Sequence, residues 1–229
     1  MRARTLWKRV LPGCEGVRGL DLSLPQDSLF PGRSELVHRK RSSLVLKVRD
    51  AAPGLPAITV WKWSWRRIRW EGMLDLFLAS RAQEEFDNAL RLLSLGLRVP
   101  RPLAAGEVRT LRWLRCWCLV TEWVDHDGTV ASVWAERRAR GLGQEWIAIW
   151  GREIRRAHDL GVVFRDSRPE NLLVGLTEEP RFHFIDLIDL CRPTPERIDR
   201  SVAHYLSLLK PPPSESEVAL FMSGYRGGP

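Results

Sequence analysis

Several features that define other protein classes are missing from this chain of 229 residues. No stretch reaches the ~20 consecutive apolar residues that a membrane-spanning helix requires. The four cysteines form no CxxC pair and have no histidine at metal-ligand spacing, so we expect reduced structural thiols rather than a zinc site. No internal repeat is evident, and the N-terminus lacks the long apolar run of a secretory signal. These absences favour a soluble, cytoplasmic protein.

The composition that remains is that of an ordinary globular protein with an excess of basic residues. Hydrophobic residues make up 44% of the chain and charged residues 28%, as in a typical folded domain. The net charge of +8 favours anionic partners such as nucleotides, nucleic acid or acidic lipid. At the N-terminus, Leu6, Trp7, Val10 and Leu11 lie among basic residues. They predict either an amphipathic segment in peripheral contact with an anionic membrane or a docked terminal helix.

The first half of the chain has the apolar pattern of a small antiparallel sheet with one helix. Residues 34 to 65 predict three strands separated by turns, and residues 103 to 124 predict two more. Between them, residues 80 to 95 have apolar side chains at helical spacing, and Gly96 follows as a stop. The predicted helical stripe is Phe86, Leu90 and Leu93.

The second half is predominantly helical. Residues 130 to 140 and 144 to 160 predict two helices, followed by short apolar strands at 172 to 174 and 182 to 185. The run from Pro211 to Pro213 predicts the end of a helix. The stripe predicted for the second helix is Trp146, Ile149, Trp150, Ile154 and Ala157.

A polar cluster between this helix and the first short strand carries the strongest chemical signal. Residues 165 to 171 read RDSRPEN, in which Asn171 follows Asp166 by five positions. Surface turns contain such strings by chance. The segment also resembles the catalytic loop of the protein-kinase superfamily, whose aspartate accepts the proton of the substrate hydroxyl and whose asparagine binds a metal ion. The resemblance implies that Asp166 is the catalytic base and Asn171 a metal ligand.

A second polar cluster ends the other short strand. The sequence FIDLID resembles the segment that carries the metal-binding aspartate of the same superfamily, which implies that Asp186 binds the metal. The distance along the chain from Asn171 fits a short hairpin. Asp189 is a competing carboxylate, and both acids could instead be helix caps or solvated loop charges.

Two segments of the first half resemble the phosphate-binding elements of these kinases. ITVWKW resembles their third strand, which implies that Lys62 contacts the α- and β-phosphates of ATP. Strand alternation points Val60 the same way, towards the nucleotide. The helical segment RAQEEF offers Glu85, or alternatively Glu84, as the partner that holds Lys62 in position. Otherwise Lys62 would be a solvated strand residue beside a buried face of tryptophans.

The segment LVTEWVD resembles the kinase hinge. Backbone groups near Glu122 and Val124 would then bind adenine, whereas an ordinary buried strand is the alternative. The candidate residues follow one another in the order that the superfamily has, with compatible gaps. This agreement in order strengthens each of the individual matches.

Within the superfamily, residues 34 to 192 are most similar to the small bacterial lipopolysaccharide core kinases, which comprise Kdo kinases and heptose kinases. RAQEEFDNALRLLSLGLRVPRPLA looks like their helix and the entry to the next strand. HDLGVVFRDSRPENLLV and FIDLID look like their catalytic and metal-binding segments. The resemblance implies an α+β, protein-kinase-like bilobal fold in one domain. Residues 29 to 124 would form an antiparallel N-lobe with one helix, and residues 125 to 229 a small, mainly α-helical C-lobe.

The same resemblance implies a function. It implies phosphorylation of a sugar hydroxyl on the lipopolysaccharide inner core, with ATP and Mg²⁺ as cofactors, at the cytoplasmic face of the inner membrane. The acceptor would be an anionic sugar or glycolipid, which suits a basic protein. The chain after Asp186 is short for a peptide-binding lobe, which also favours a small acceptor. No specific nucleic acid is expected, because the basic residues are spread along the chain without an RNA-binding motif.

Two departures from the family pattern bear on activity. Phe164 stands where most kinases have a structural histidine before the Arg and Asp of the catalytic loop. The glycine-rich loop is missing, and its place is taken by HRKRSS. The basic residues Arg39, Lys40 and Arg41 of this turn either cover the phosphates or form a solvated hairpin. These departures leave a non-catalytic pseudokinase as the main alternative, ahead of an antibiotic phosphotransferase or a nucleic-acid binder.

Overall fold

The computed structural model of the protein divides into two compact units. One comprises Met1–Arg91 and Pro100–Val124, and the other comprises Leu92–Val99 and Asp125–Pro229. The residues that the structure describes are 3–65, 80–110, 113–141, 145–175 and 179–227.

The first unit is built on an antiparallel sheet of six strands. Its spatial order is β1-β5-β6-β4-β3-β2, so that β1 and β2 are the edges. The 14-residue helix α2 follows β4 in the chain, with the short helix α1 and a 3₁₀ turn at Glu15–Gly19 nearer the N-terminus. The strands and helices are β1 (Arg4–Val10), α1 (Gln26–Leu29), β2 (Ser34–Lys40), β3 (Ser43–Arg49), β4 (Ile58–Trp65), α2 (Arg81–Ser94), β5 (Pro102–Thr110) and β6 (Trp113–Glu122).

Alternation along β3 and β4 divides this sheet into a core face and a more polar face. Trp61 and Trp63 are completely buried on the core face, where their rings stack with centroids 5.5 Å apart. Phe30, from the segment before β2, adds its ring 4.7 Å from that of Trp61. Val60 and Lys62 point to the opposite face, as the alternation predicts. The tryptophans therefore form the core, and the lysine faces away from it.

The predicted N-terminal helix is wrong, because this segment is a strand docked on the sheet. Its contact with a membrane stays a prediction. The segment forms β1, which pairs antiparallel with β5. Trp7 and Leu11 pack against the core, and the Trp7 indole N–H donates a hydrogen bond to the Leu20 carbonyl. A strand satisfies the otherwise open edge of β5 while burying these apolar side chains, which a membrane-facing helix could not do.

The predicted helix is present as α2, but only Phe86 of the three predicted stripe residues is fully buried. Leu93 is partly exposed, and Leu92 is buried in its place. Leu90 is 38% exposed, whereas Ala82, Phe86 and Ala89 are buried. Ala82 and Phe86 pack against Ala105 of the neighbouring strand β5. Small alanine side chains let the helix lie close to the sheet, and this placement turns Leu90 outwards.

The second unit contains four helices and two small sheets among the described residues. The three-stranded sheet has the order β10-β9-β7, and β8 pairs with β11 in a two-stranded ladder. The predicted hairpin of the two apolar strands is present as β9 and β10. A 3₁₀ turn covers Pro169–Asn171. The elements are β7 (Gly128–Thr129), α3 (Val130–Ala139), α4 (Trp146–Asp159), β8 (Val163–Phe164), β9 (Leu172–Gly175), β10 (Arg181–Phe184), β11 (Leu190–Cys191), α5 (Pro195–Ser207) and α6 (Glu215–Arg226).

Helix α6, which the polar sequence after the proline run did not suggest, packs along α4. Its N-terminus has a complete capping box between Ser214 and Glu217. At the crossing, a Cβ atom on Gly151 would meet the backbone of Phe221, and one on Gly224 would meet the backbone of Ala148. The two helices therefore touch backbone to backbone.

The buried face of α4 is also shifted slightly from the prediction. Trp146, Trp150, Ile154 and Ala157 are buried as expected, but Ile147 takes the place of Ile149. The predicted start of this helix, Gln144, lies outside the described residues. In the segments that are described, no helix combines the length and apolar character needed to cross a bilayer.

Candidate active site

In the first unit, the structure brings Lys62 of β4 and Glu85 of α2 together. The Lys62 ammonium lies 3.0 Å from each carboxylate oxygen of Glu85. Glu85 is buried, whereas Glu84, the alternative partner, points to solvent. A lysine on a sheet face that is held by a buried carboxylate keeps its charge and a fixed direction, which a phosphate-binding cation requires.

Helix α2 is fixed to the sheet by a second polar contact close to this pair. Glu107 of β5 is completely buried and accepts a hydrogen bond of 2.7 Å from the Gln83 amide on α2. The Arg109 guanidinium pairs with the other oxygen of Glu107, also at 2.7 Å. A buried carboxylate must be paired to be tolerated. The network consequently ties the register of α2, and with it the position of Glu85, to β5.

The predicted hinge lies at the end of β6, also in the first unit. The Glu122 N–H donates to the Arg101 carbonyl, and the Trp123 N–H donates to the Ile58 carbonyl. Val124 follows these two bonds, and among the described residues its N–H has no backbone partner. Val60 is two residues before Lys62 on β4, so their side chains lie on the same sheet face. The segment thus offers an open backbone group and an apolar side chain beside the lysine.

In the second unit, Asp166 and Asn171 lie on one short loop between β8 and β9. The Asn171 Nδ2 donates to the Asp166 carbonyl at 3.1 Å and lies 3.4 Å from its Oδ2. The Arg168 Nε donates to the Asp166 Oδ1 at 2.6 Å. The carboxylate is half exposed, so that a substrate hydroxyl can reach it. The loop therefore presents a carboxylate that is oriented from two sides.

The buried residue Ser167, which follows Asp166, anchors the loop. Its hydroxyl donates to the Phe164 carbonyl and lies 2.7 Å from the Ser201 hydroxyl of α5. The buried Tyr205 phenol also hydrogen-bonds to Ser167, and burial raises the pKa of this phenol. These contacts keep the short loop in one conformation without the histidine that most kinases have at position 164.

Asp186 follows β10 and is connected to the same loop. The N–H of Ile185, its neighbour, donates to the Asn171 carbonyl at 2.9 Å. Asp186 has φ of 58° and Asp189 has φ of 63°, both in the left-handed region that non-glycine residues seldom adopt. The Asp189 carbonyl accepts a hydrogen bond from the Arg165 N–H just before β11. Asp186 therefore comes one residue after the main-chain link to Asn171, whereas the main chain of Asp189 bonds to the residue before Asp166.

The donor set of this second group fits a hard cation. Asn171 uses its Nδ2 towards Asp166, which leaves its amide oxygen as an acceptor, and Asp186 adds a carboxylate. Within the described ranges, no group of three or more His, Cys, Asp or Glu side chains could hold a metal ion alone. Mg²⁺ is commonly bound by one or two carboxylates together with substrate phosphates, so these oxygens suit a magnesium ion that arrives with a nucleotide.

Sequence reasoning missed three contributors to this site. The Arg168 guanidinium contacts the predicted base, Asp166. The sequence RDSR indicates this contact, because Asp166 and Arg168 are two residues apart on a tight loop. Ser167 and Phe184 are buried residues that support the loop, Ser167 by its hydrogen bonds and Phe184 by stacking on Phe164. The sequence alone does not reveal either contact. Arg168 is therefore the one that a closer reading of the motif could have found.

Comparison with known proteins identifies the family of the chain. A sequence model of the lipopolysaccharide kinase (Kdo/WaaP) family matches residues 62–225. The chain belongs to this family. As a member of the lipopolysaccharide kinase family the protein is a kinase, and the matched range runs from the lysine of β4 into α6. No curated protein matches the sequence.

Solved structures agree with the family assignment at the level of the fold. WaaP in complex with acyl carrier protein is similar with a TM-score of 0.57 and 18% identity, over 90% of this chain and 87% of that one. The PknI kinase domain from Mycobacterium tuberculosis has a TM-score of 0.48 and 19% identity, over 72% of this chain and 62% of that one. The family match and the likeness to WaaP confirm the predicted protein-kinase-like α+β fold.

Proposed function

We propose that this lipopolysaccharide kinase transfers the γ-phosphoryl group of ATP to a sugar hydroxyl of the lipopolysaccharide inner core, with Mg²⁺ as cofactor. The two units would act together as the N-lobe and C-lobe of one kinase domain. The reaction would take place in the cytoplasm, at the face of the inner membrane where the acceptor is exposed. The family supports the kinase activity and the class of acceptor, and the site chemistry supports the nucleotide and the metal.

The observation that carries the proposal is the linkage of Asp166, Asn171 and Asp186. Hydrogen bonds join Asn171 to Asp166 through its side chain and to Ile185 through its main chain. One asparagine thereby bonds to the residue that would take a proton and to the neighbour of the residue that would bind a cation. Phosphoryl transfer needs this combination, because the attacking oxygen must be aligned while charge on the phosphate oxygens is neutralised.

In the proposed reaction, the acceptor hydroxyl oxygen forms a bond to the γ-phosphorus, and the bond from that phosphorus to the β–γ bridging oxygen breaks. The hydroxyl proton passes to the Asp166 carboxylate, which Arg168 and Asn171 hold in place. Mg²⁺, when bound, would supply positive charge against the phosphate oxygens. Asp186 and the Asn171 amide oxygen would hold it.

On the nucleotide side, Lys62 would contact the α- and β-phosphates in the direction that Glu85 imposes. Val60 would line the adenine site. The main chain at Glu122 and Val124 would bind the adenine edge. ADP would be the second product.

An anionic acceptor suits the net charge of +8. Inner-core sugars and the membrane surface that carries them are both negatively charged, so long-range attraction would raise the rate of encounter. Peripheral contact with an anionic membrane would follow from the same charge.

A pseudokinase is the second candidate, because Phe164 and the absent glycine-rich loop depart from active kinases. The local structure favours an active loop. Phe164 is buried, and Ser167 fastens the loop to its carbonyl and to α5, so the structural task of the missing histidine is performed by other groups.

The test is magnesium-dependent phosphate transfer from labelled ATP to delipidated inner-core lipopolysaccharide. Asp166→Asn should lower kcat by about a hundredfold or more, because a neutral amide cannot accept the proton. Glu170→Gln is the matched control, since Glu170 is an exposed carboxylate on the same loop. We expect this control to keep wild-type activity. ATP binding without transfer to any inner-core acceptor would indicate the pseudokinase, and absence of ATP binding would refute the proposal.

A further inference from the structure

The hairpin between β2 and β3 occupies the position of the missing glycine-rich loop, and its register identifies which basic side chains share a face with Lys62. Lys40 of β2 pairs with Ser43 of β3, and Ser43 pairs in turn with Ser64 of β4. Directly paired residues of an antiparallel sheet point to the same face. Lys40, Ser43 and Ser64 therefore form one row across three strands.

Lys62 belongs to the same face. It lies two residues before Ser64 on β4 and pairs with Val45, two residues after Ser43. Strand spacing and rise place the Cα atoms of Lys40 and Lys62 about 10 Å apart across the sheet and about 7 Å apart along it. Two long lysine side chains at this separation can contact the same polyphosphate. The small serines between them leave room for it.

Arg39, the neighbour of Lys40, lies on the other face. It pairs with Leu44, whose side chain is buried in the core together with Trp63. Of the two adjacent cations on β2, the register thus directs only Lys40 to the face of Lys62. Both side chains are exposed and carry the same charge, so they differ chiefly in direction.

Two other lysines of this face already have contacts. The Lys62 ammonium is held by Glu85, and the Lys47 ammonium lies 3.8 Å from the centre of the Trp123 ring. Lys40 is exposed, and it has no ion pair within the part of the chain that the structure describes. It is therefore available for a ligand.

The backbone at the tip of the β2–β3 hairpin cannot bind phosphate through its N–H groups as a glycine-rich loop does. Arg41 and Ser42 make a two-residue turn, and among the described non-glycine residues only Asp50, Asp186 and Asp189 have positive φ. A backbone cradle for phosphate needs successive N–H groups in alternating right- and left-handed conformations. Phosphate recognition at this tip must consequently come from side chains.

We propose that Lys40, assisted by the hydroxyls of Ser43 and Ser64, binds the terminal phosphates of the nucleoside triphosphate in place of a glycine-rich loop. The inference rests on the proposed function, since it presumes that ATP is the donor. It adds a second phosphate contact to Lys62. The surface between Lys40 and Lys62 is positively charged, so it is complementary to a triphosphate and would not favour a neutral ligand.

The experiment measures binding of ATP and AMP by calorimetry to the wild type and to Lys40→Ala, Lys40→Arg and Arg39→Ala. Loss of a charged contact should weaken ATP binding by Lys40→Ala about tenfold. AMP binding should stay within about twofold of wild type in all variants, because AMP lacks the terminal phosphates. Lys40→Arg should retain most of the ATP affinity. Arg39→Ala, which removes the same charge from the adjacent position, should resemble the wild type.

Three outcomes would overturn the inference. Equal loss of ATP affinity in Lys40→Ala and Arg39→Ala would mean that net charge matters and direction does not. Unchanged ATP affinity with weaker binding of Lys40→Ala to phosphatidylglycerol vesicles would assign this face to the membrane. If Lys40→Ala binds ATP as the wild type does while Lys62→Ala binds it clearly more weakly, Lys40 is not a phosphate ligand. The proposed function would still stand. If the wild type does not bind ATP, the proposed function fails first.

Discussion

The rings of Phe164 and Phe184 stack face to face, with centroids 4.5 Å apart and an angle of 11° between their planes. Phe164 ends β8 two residues before Asp166, and Phe184 ends β10 two residues before Asp186. The pair therefore joins the segment that carries the proposed base to the segment that carries the proposed metal ligand. This stack adds to the Ser167 hydrogen bonds that hold the loop, so the departure at position 164 is compatible with an active loop.

Truncation of this stack should reduce the stability of the protein. Phe164→Ala should lower the free energy of unfolding by about 3 kcal/mol, because it removes a buried aromatic ring and leaves a cavity. Chemical denaturation measures the change. Phe164→Leu, which fills most of the volume, is the control and should cost less than half as much. A change below about 1 kcal/mol for the alanine variant would show that the stack is not a major contact.

Asp186 and Asp189 can be distinguished by substitution with asparagine. Asparagine tolerates the left-handed backbone that both residues adopt, so that Asp→Asn removes charge with little added strain. Asp186→Asn should lower kcat of magnesium-dependent transfer by about a hundredfold. Asp189→Asn should stay within about threefold of wild type, which corresponds to less than ~1 kcal/mol. The reverse ranking would make Asp189 the metal ligand.

The sequence was sufficient for the elements whose apolar pattern is local. The strands β2 to β6, helix α2 and the β9–β10 hairpin were all predicted, because period-two and helical patterns are set by neighbouring residues. The strand β1 was not, since its partner β5 lies far along the chain and its exposed basic residues conceal the alternation. The two-residue strands β7, β8 and β11 depend on tertiary contacts in the same way.

The candidate site was predictable where a motif fixes residue type and spacing, as at Asp166, Asn171, Asp186 and Lys62. The choice between Glu84 and Glu85 was not, because adjacent helical residues differ by only 100° in direction and both fit the motif. The structure makes this choice by burying one of them. Arg168 was overlooked because its role depends on the bend of the loop.

Two ion pairs, one within β5 and one between β1 and helix α2, should differ in their contribution to stability. Arg109 and Glu107 have side chains 14% and 1% exposed, whereas Arg9 and Asp87 are 46% and 51% exposed. Arg109→Met should destabilise the protein by about 3 kcal/mol, because it leaves a buried carboxylate without its cation. Arg9→Met, the matched control, should cost less than about 1 kcal/mol. Thermal and urea unfolding of both variants give the comparison, and equal costs would contradict it.

Burial of His158 predicts a loss of stability in mild acid. Burial lowers the pKa of its imidazole from the ordinary value of 6.5 to about 4, and its Nδ1 lies 2.7 Å from the Tyr225 hydroxyl. Between these values the unfolded chain binds a proton that the folded protein does not. The stabilisation is thus complete above pH 6.5 and falls as the pH drops towards 4, by at most about 3 kcal/mol.

Urea unfolding of His158→Gln across this pH range measures the effect. The variant should have a flatter dependence than the wild type, with a remainder from His183, whose pKa is also lowered, chiefly by burial. His38→Gln on the exposed strand β2 is the control and should keep the slope of the wild type. Identical slopes for the wild type and His158→Gln would show that His158 does not cause the acid sensitivity.

The crossing of α4 and α6 at Gly151 and Gly224 has an implication for how this protein can vary. At most buried positions a larger side chain can be accommodated if a neighbouring side chain is replaced by a smaller one. Here the neighbouring atoms belong to the main chain, which no substitution can make smaller. Neither glycine can be rescued by a second substitution. In a library of all single and paired variants, we expect these two positions to remain intolerant in every background, and to define a minimum interhelical distance that any homologue or redesigned enzyme must preserve.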